Sequence, residues 1–205
     1  MPRGKLALLT LSLVALSASP GRADVLLTPF VGANVGGSSS SALFQLAGDA
    51  DRTNFGASLA LMSGGVLGIE ADFGYTPRFF GAELPIATFP VTIAQNRVIT
   101  AMANLTAGVP LQSRSGVGVR PYGVAGLGLI RQQIDVLGGF NAYTSNDLGY
   151  DIGGGIMLFF GPHVGVRGDI RHFRSVGGGI VSDLIDLDPG AFNFTRTSVG
   201  VTFRY

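Results

Sequence analysis

Ser198-Val-Gly200-Val-Thr-Phe203-Arg-Tyr205, the final eight residues, decide the fold. Successive side chains of a strand point to opposite faces. Val199, Val201, Phe203 and Tyr205 therefore line one side, and Ser198, Gly200, Thr202 and Arg204 line the other. An apolar face ending in two aromatics, backed by small and polar residues, suits a strand between lipid and a polar interior.

The other end of the chain supplies the context. Arg3 and Lys5 precede an apolar run over residues 6–16, followed by small and turn-forming residues 17–22. That order is a secretory leader, and its apolar run is too short to span a bilayer as a helix. We place cleavage after Ala23, leaving residues 24–205 as the mature domain, with Ala18 as an alternative site. Loss of Arg3, Lys5 and Arg22 leaves 11 of the 14 basic residues against 13 acidic ones, a net of −2. Every remaining cation is arginine, and this balance gives no footprint for nucleic acid. With no cysteine the chain has no disulfide scaffold, thiolate metal site, cysteine nucleophile or lipoprotein anchor.

Glycine is abundant, 32 of 205 residues, and sits within β-like runs. Crowded lumen positions of a small barrel and curved strands favour it. Alternation and glycine punctuation predict eight strands, at residues 25–36, 54–62, 66–75, 96–109, 117–131, 147–159, 164–174 and 191–205. The faces of the fifth are ambiguous. Connections alternate long and short: segments 38–53, 76–95, 132–146 and 175–190 are long, and those around 63–65, 112–116 and 160–163 are short. An all-β, eight-stranded antiparallel up-and-down transmembrane β-barrel has this plan, with short periplasmic turns and longer extracellular loops. A soluble lipocalin-like barrel would instead need an apolar interior and a polar exterior.

The third and seventh strands carry related patterns, Gly68-Ile-Glu70-Ala-Asp72 and Gly165-Val-Arg167-Gly-Asp169, on opposite walls of the ring. With Asp151, Arg171, Arg196 and Arg204 they predict a lumen network of four acids and four arginines. Arg–carboxylate pairs satisfy one another where unpaired charges would be costly. The network reads as the polar core of a filled barrel, or as a gate if pairs exchange partners.

Arg78, Arg97, Arg131 and Arg174 fall near the extracellular ends of strands, where they could meet lipopolysaccharide phosphates. Tyr75, Phe79, Phe80, His172, Phe173 and Phe192 lie at similar heights and predict an aromatic girdle. The apolar loop segment 84–93 predicts an extension of its hairpin or a contact surface. Loop acids Asp49, Asp51, Asp183, Asp186 and Asp188 lack calcium-loop spacing and read as solvated. We expect no metal, cofactor or catalytic residues. His172 and Ser175, three apart, fall on opposite faces, whereas lipid A deacylase barrels carry a His and a Ser two apart on one strand.

The terminal octapeptide closely resembles the C-terminal signal by which outer-membrane barrels are recognised for insertion, carried here by Ser198, Gly200, Phe203 and Tyr205. With the paired Gly-x-[Glu/Arg]-x-Asp strands, residues 24–205 resemble the outer-membrane β-barrel domain family, alongside the OmpA transmembrane domain and OmpX/Ail-type small barrels. The resemblance implies a monomer in the outer membrane of a Gram-negative cell, in contact with lipid and lipopolysaccharide. Periplasmic chaperones and the barrel-assembly machinery would handle it during insertion. It further implies a structural or surface-interaction role, with a narrow porin-like channel, an adhesin acting through extracellular loops, and a lipid A-modifying enzyme as alternatives. A peptidoglycan-binding second domain of the OmpA kind is not expected.

Overall fold

The computed structural model describes residues 23–38, 52–64, 66–77, 79, 83–86, 89–112, 117–136, 143–176 and 192–205. Eight long strands form the wall: β1 (Ala23–Ser38), β2 (Thr53–Ser63), β3 (Leu67–Pro77), β4 (Phe89–Gly108), β5 (Gly118–Val136), β6 (Tyr143–Phe159), β7 (Val164–Ser175) and β8 (Asn193–Arg204). Each pairs antiparallel with its neighbours in sequence. β8 returns to β1 in the register Leu27↔Phe203 to Val35↔Thr195, which closes the ring. Reciprocal backbone bonds between Val25 and Tyr205 (3.2 and 3.0 Å) fasten the seam at its periplasmic end.

The sheet curls into a barrel because its two faces differ so sharply in chemistry. Leu59, Ile69, Leu105, Leu127, Ile152, Ile170 and Val199 all point outward, and Leu105 is 72% exposed. A continuous apolar band of this kind has no place in water and fits lipid. Among the described residues no helix is long and apolar enough to cross a membrane.

Small inward residues let the narrow ring close. A Cβ at Gly126 would run into the Asn104 side chain, and one at Gly128 into the Ala101 carbonyl of the neighbouring strand. Gly64, with φ of 56°, supplies the left-handed residue of the β2–β3 turn.

β2, β3, β7 and β8 have 11 or 12 residues each, close to the ~9–11 that cross a bilayer at a tilt. β4, β5 and β6 have 20, 19 and 17 and rise beyond their neighbours on the extracellular side. A small strand, Glu83–Ile86, pairs with the start of β4 (Glu83↔Thr92), so the apolar second loop does extend its hairpin. Residues 1–22 of the predicted leader and the loop acids lie outside the described residues, as do Arg78 and Phe80.

Candidate functional site: the layered lumen

Inward positions stack in layers along the barrel axis. At the extracellular end Phe79, Val98, Met102, Ile130, Phe173, Phe192 and Phe194 form a buried apolar cluster. Phe173 stacks on Phe194 (centroids 4.8 Å apart, planes within 7°), and Phe79 meets Phe192 and Phe194 edge-on. This corrects the expected girdle: Phe79, Phe173 and Phe192 plug the lumen and do not face lipid. Tyr75 and His172 do point outward.

Beneath the plug lies a belt of ion pairs contributed by β3, β6, β7 and β8. Arg171 is its hub, with Nη2 at 2.7 Å from Glu70 Oε1 and 3.0 Å from Asp169 Oδ2, and Nη1 at 3.5 Å from Asp72 and 3.6 Å from Asp151. Arg167 reaches across the barrel to Glu70 (2.6 Å) and sits 3.2 Å from Asp169. It also donates to Tyr122 Oη (2.6 Å) and Ser58 Oγ (3.1 Å). Arg196 donates through Nη2 to both oxygens of Asp72, each at 2.9 Å. Tyr122 and Ser198 donate to the two oxygens of Asp169 (2.9 and 2.7 Å). With the Asn104 amide turned to suit its neighbours, it donates to Asp151 (2.7 Å) and accepts from Arg171 (2.9 Å). The carboxylates and guanidiniums of the belt are all buried.

Arg196 ties belt to plug, its guanidinium lying over the rings of Phe30 (4.6 Å) and Phe173 (4.9 Å). Desolvated cation–π contacts of this type are worth ~2 kcal/mol each. Below the belt a second apolar layer, Leu26, Ala60, Met62, Tyr122, Val124, Met157 and Phe159, closes the lumen again.

Of the predicted network, Glu70, Asp72, Asp151, Arg167, Asp169, Arg171 and Arg196 come together. Arg204 faces inward but stands apart at the periplasmic mouth, bonded to the carbonyls of Pro162 (2.6 Å) and Gly161 (3.3 Å). The central belt thus sets four carboxylates against three guanidiniums, one negative charge in excess of the expected balance. Arg120, which pairs with Asp24 at 2.8 Å, and Tyr122 were hidden in the ambiguous fifth strand. The outward pair Leu127 and Leu129, flanked by inward Gly126 and Gly128, was the signal that could have assigned its faces.

On the outer wall Arg131 and Arg174 are exposed, and Arg97 donates to Gln133 Oε1 (3.1 and 2.8 Å). His172 is exposed while Ser175 is buried and accepts from the Phe192 amide (2.9 Å), so the two face opposite ways. Ser198, Gly200 and Thr202 point inward, and Val199, Val201, Phe203 and Tyr205 outward. Among the described residues no group of three or more His, Asp or Glu side chains is arranged to hold a metal ion.

Solved structures share this architecture. Neisserial surface protein A is 17% identical, with 89% of this chain and 97% of that one covered at a TM-score of 0.61. The outer membrane protein OprG of Pseudomonas aeruginosa is 12% identical, over 90% and 96%, at 0.59. Ail, the attachment invasion locus protein of Yersinia pestis, solved with the heparin analogue sucrose octasulfate, is 12% identical, over 90% and 99%, at 0.51. No curated protein sequence matches the chain. The family model for the outer membrane protein beta-barrel domain matches residues 6–204, nearly the whole length. With that match and a closed eight-stranded wall, the chain belongs to the outer-membrane β-barrel domain family.

Proposed function

We propose that this outer-membrane protein is a closed barrel with a structural and surface-interaction role, not a conduit. One observation carries the reading: the lumen is filled by an aromatic plug, an ion-paired belt and a second apolar layer in series. A permeating ion would have to break pairs in the belt and then cross two apolar layers, each hostile to charge. Purified protein in planar bilayers is expected to give no conductance steps. A wild-type trace with stable openings would favour the channel reading. Openings seen only in Glu70→Ala or Arg167→Ala would favour a gate.

Arg97, Arg131 and Arg174 point outward near the extracellular ends of their strands, and guanidinium groups there would suit lipopolysaccharide phosphates. The rise of β4, β5 and β6 beyond their neighbours supports contact with surface partners. Deleting residues 80–88, which spares Phe79 of the plug and β4, should weaken binding in a cell-binding assay, and unchanged binding would count against loop contact. We read the chain as non-catalytic, since His172 and Ser175 point to opposite faces; overexpression should leave lipid A mass spectra unchanged. The leader would direct export, and Ser198, Gly200, Phe203 and Tyr205 would serve recognition by the assembly machinery. Phe203→Ala with Tyr205→Ala should slow machinery-dependent insertion into liposomes, and unchanged insertion would overturn that role.

A further inference from the structure

The periplasmic mouth holds a cavity distinct from the belt. Past the end of β4, a two-residue pairing (Leu111↔Val119, Gln112↔Gly118) lengthens the β4–β5 hairpin and raises one wall. The turn over residues 160–162, next to it through the Gly118↔Phe159 pairing, raises the adjoining one. Between them opens a vestibule of about 530 Å³, with Leu111, Val119 and Pro162 among its walls and Arg120 and Arg204 lining it together.

Both guanidiniums lie over the ring of Phe159, at 5.2 Å for Arg120 and 4.6 Å for Arg204. Arg204 is held by neutral backbone carbonyls, which fix its position without cancelling its charge. Arg120 has a side chain only 6% exposed, and Asp24 at 2.8 Å takes one of its terminal nitrogens. The other terminal nitrogen points at Met62 Sδ, 3.6 Å away and a poor acceptor, and the buried Nε finds no acceptor at all. Asp24 is the one side-chain carboxylate paired with either arginine among the described residues. The surplus carboxylate of the belt lies beyond the lower apolar layer and offers no neutralisation. A buried unsatisfied N–H on Arg120, an Arg204 guanidinium held by neutral carbonyls and a roomy cavity lined by both residues meet at this mouth.

We infer that this vestibule binds a small oxyanion of the phosphate or carboxylate class from the periplasmic side, ligated by Arg120 and Arg204. Guanidinium groups present paired N–H donors matched to such oxygens, and charge-assisted bonds of this kind are the strong ones. The apolar walls would accommodate a short apolar arm on the same molecule. Its source is either a soluble periplasmic anion or the head group of an inner-leaflet phospholipid.

The experiment follows the Arg120 Nε–Hε resonance in ¹⁵N-labelled protein refolded in uncharged detergent, assigned by its loss in Arg120→Gln. Inorganic phosphate and acetate are titrated separately at constant ionic strength against chloride. A parallel series replaces phosphatidylcholine by phosphatidylglycerol in bicelles. A saturating shift with phosphate or acetate supports a soluble anion; saturation with phosphatidylglycerol alone supports a lipid head group. Arg204→Gln should bind roughly tenfold more weakly, as expected for one lost charge-assisted contact, and Arg204→Lys should retain part of the affinity. Heat-modifiable migration shows that each variant is folded. A shift that never saturates with any of these, or saturation unchanged in folded Arg204→Gln, overturns the site. Neither readout depends on whether the barrel conducts.

Discussion

Replacing Arg171 by methionine should destabilise the barrel far more than replacing Asp151 by asparagine, although the two residues touch. Arg171 is 1% exposed and lies within 3.6 Å of all four belt carboxylates. Without it four carboxylates face two guanidiniums, and the excess negative charge doubles. Removing one partner of a buried pair costs about 3–5 kcal/mol, and a hub with four acidic neighbours belongs at the upper end. Asp151→Asn acts in the opposite sense: it brings the belt to neutrality, keeps the side-chain shape, and gives up only a 3.6 Å contact. Its cost should stay at or below about 1 kcal/mol, the net worth of one ordinary hydrogen bond. Urea unfolding from lipid vesicles, followed by tyrosine fluorescence because the chain has no tryptophan, measures both. With a urea slope of about 2 kcal/mol per molar, Arg171→Met should lower the midpoint by about 2 M and Asp151→Asn by less than about 0.5 M. Equal losses in the two variants, or a loss below about 1 kcal/mol for Arg171→Met, would refute the charge count.

Phe173→Ala should cost about 3–5 kcal/mol in the same assay, because the ring is fully buried between Phe194 and Arg196; a near-neutral result would mean that the plug is not packed. Gly128→Val should abolish heat-modifiable migration by forcing a side chain against the β4 backbone, whereas Gly161→Ala, with nothing within 4 Å of the added carbon, should migrate as wild type. The triple variant Arg97→Gln, Arg131→Gln, Arg174→Gln should bind lipopolysaccharide roughly a hundredfold more weakly, at about 1 kcal/mol per arginine near an anionic surface. The wild-type affinity should fall with salt, and a salt-independent affinity would count against phosphate contacts.

The lipid face was legible because lipid imposes one rule, an apolar residue at every second position. Leu67, Ile69, Ala71 and Phe73 obey it, and so do Ile99, Ala101, Ala103 and Leu105. The lumen obeys no such rule. In β5, Val119 and Ala125 on one face resemble Val124 on the other, and so Arg120 and Tyr122 could not be placed. A girdle assigned by height ignores parity: Phe173 has the parity of Arg167, Asp169 and Arg171 and so shares their inward face. Phe79 precedes β4 outside any strand, where alternation says nothing. Arg204 shares the parity of Arg196 but lies eight residues further along β8. At ~3.4 Å per residue that is roughly 27 Å, too far for one layer. Parity assigns a face, and only register assigns a height.

That distinction also explains why an ionic belt lies in a barrel otherwise plugged by apolar side chains. If both faces of every strand were apolar, a slip of one residue would exchange lumen and lipid positions at little cost. With Arg167, Asp169, Arg171 and Arg196 on two adjacent strands, such a slip drives charges into the bilayer, at about 2.5–3.5 kcal/mol for each side chain at the midplane. The belt opposes misregister most strongly across β3, β7 and β8, which carry six of its seven charged side chains. Elsewhere the wall relies on close glycine contacts such as Gly126 and Gly128 against β4. Neutralising β7 together with its acidic partners, with Arg167→Met, Asp169→Asn, Arg171→Met, Glu70→Gln and Asp151→Asn, leaves the balanced Asp72–Arg196 pair and should give a barrel that refolds to several sets of amide resonances. A single set identical in register to the wild type would show that the remaining contacts fix the register without the belt.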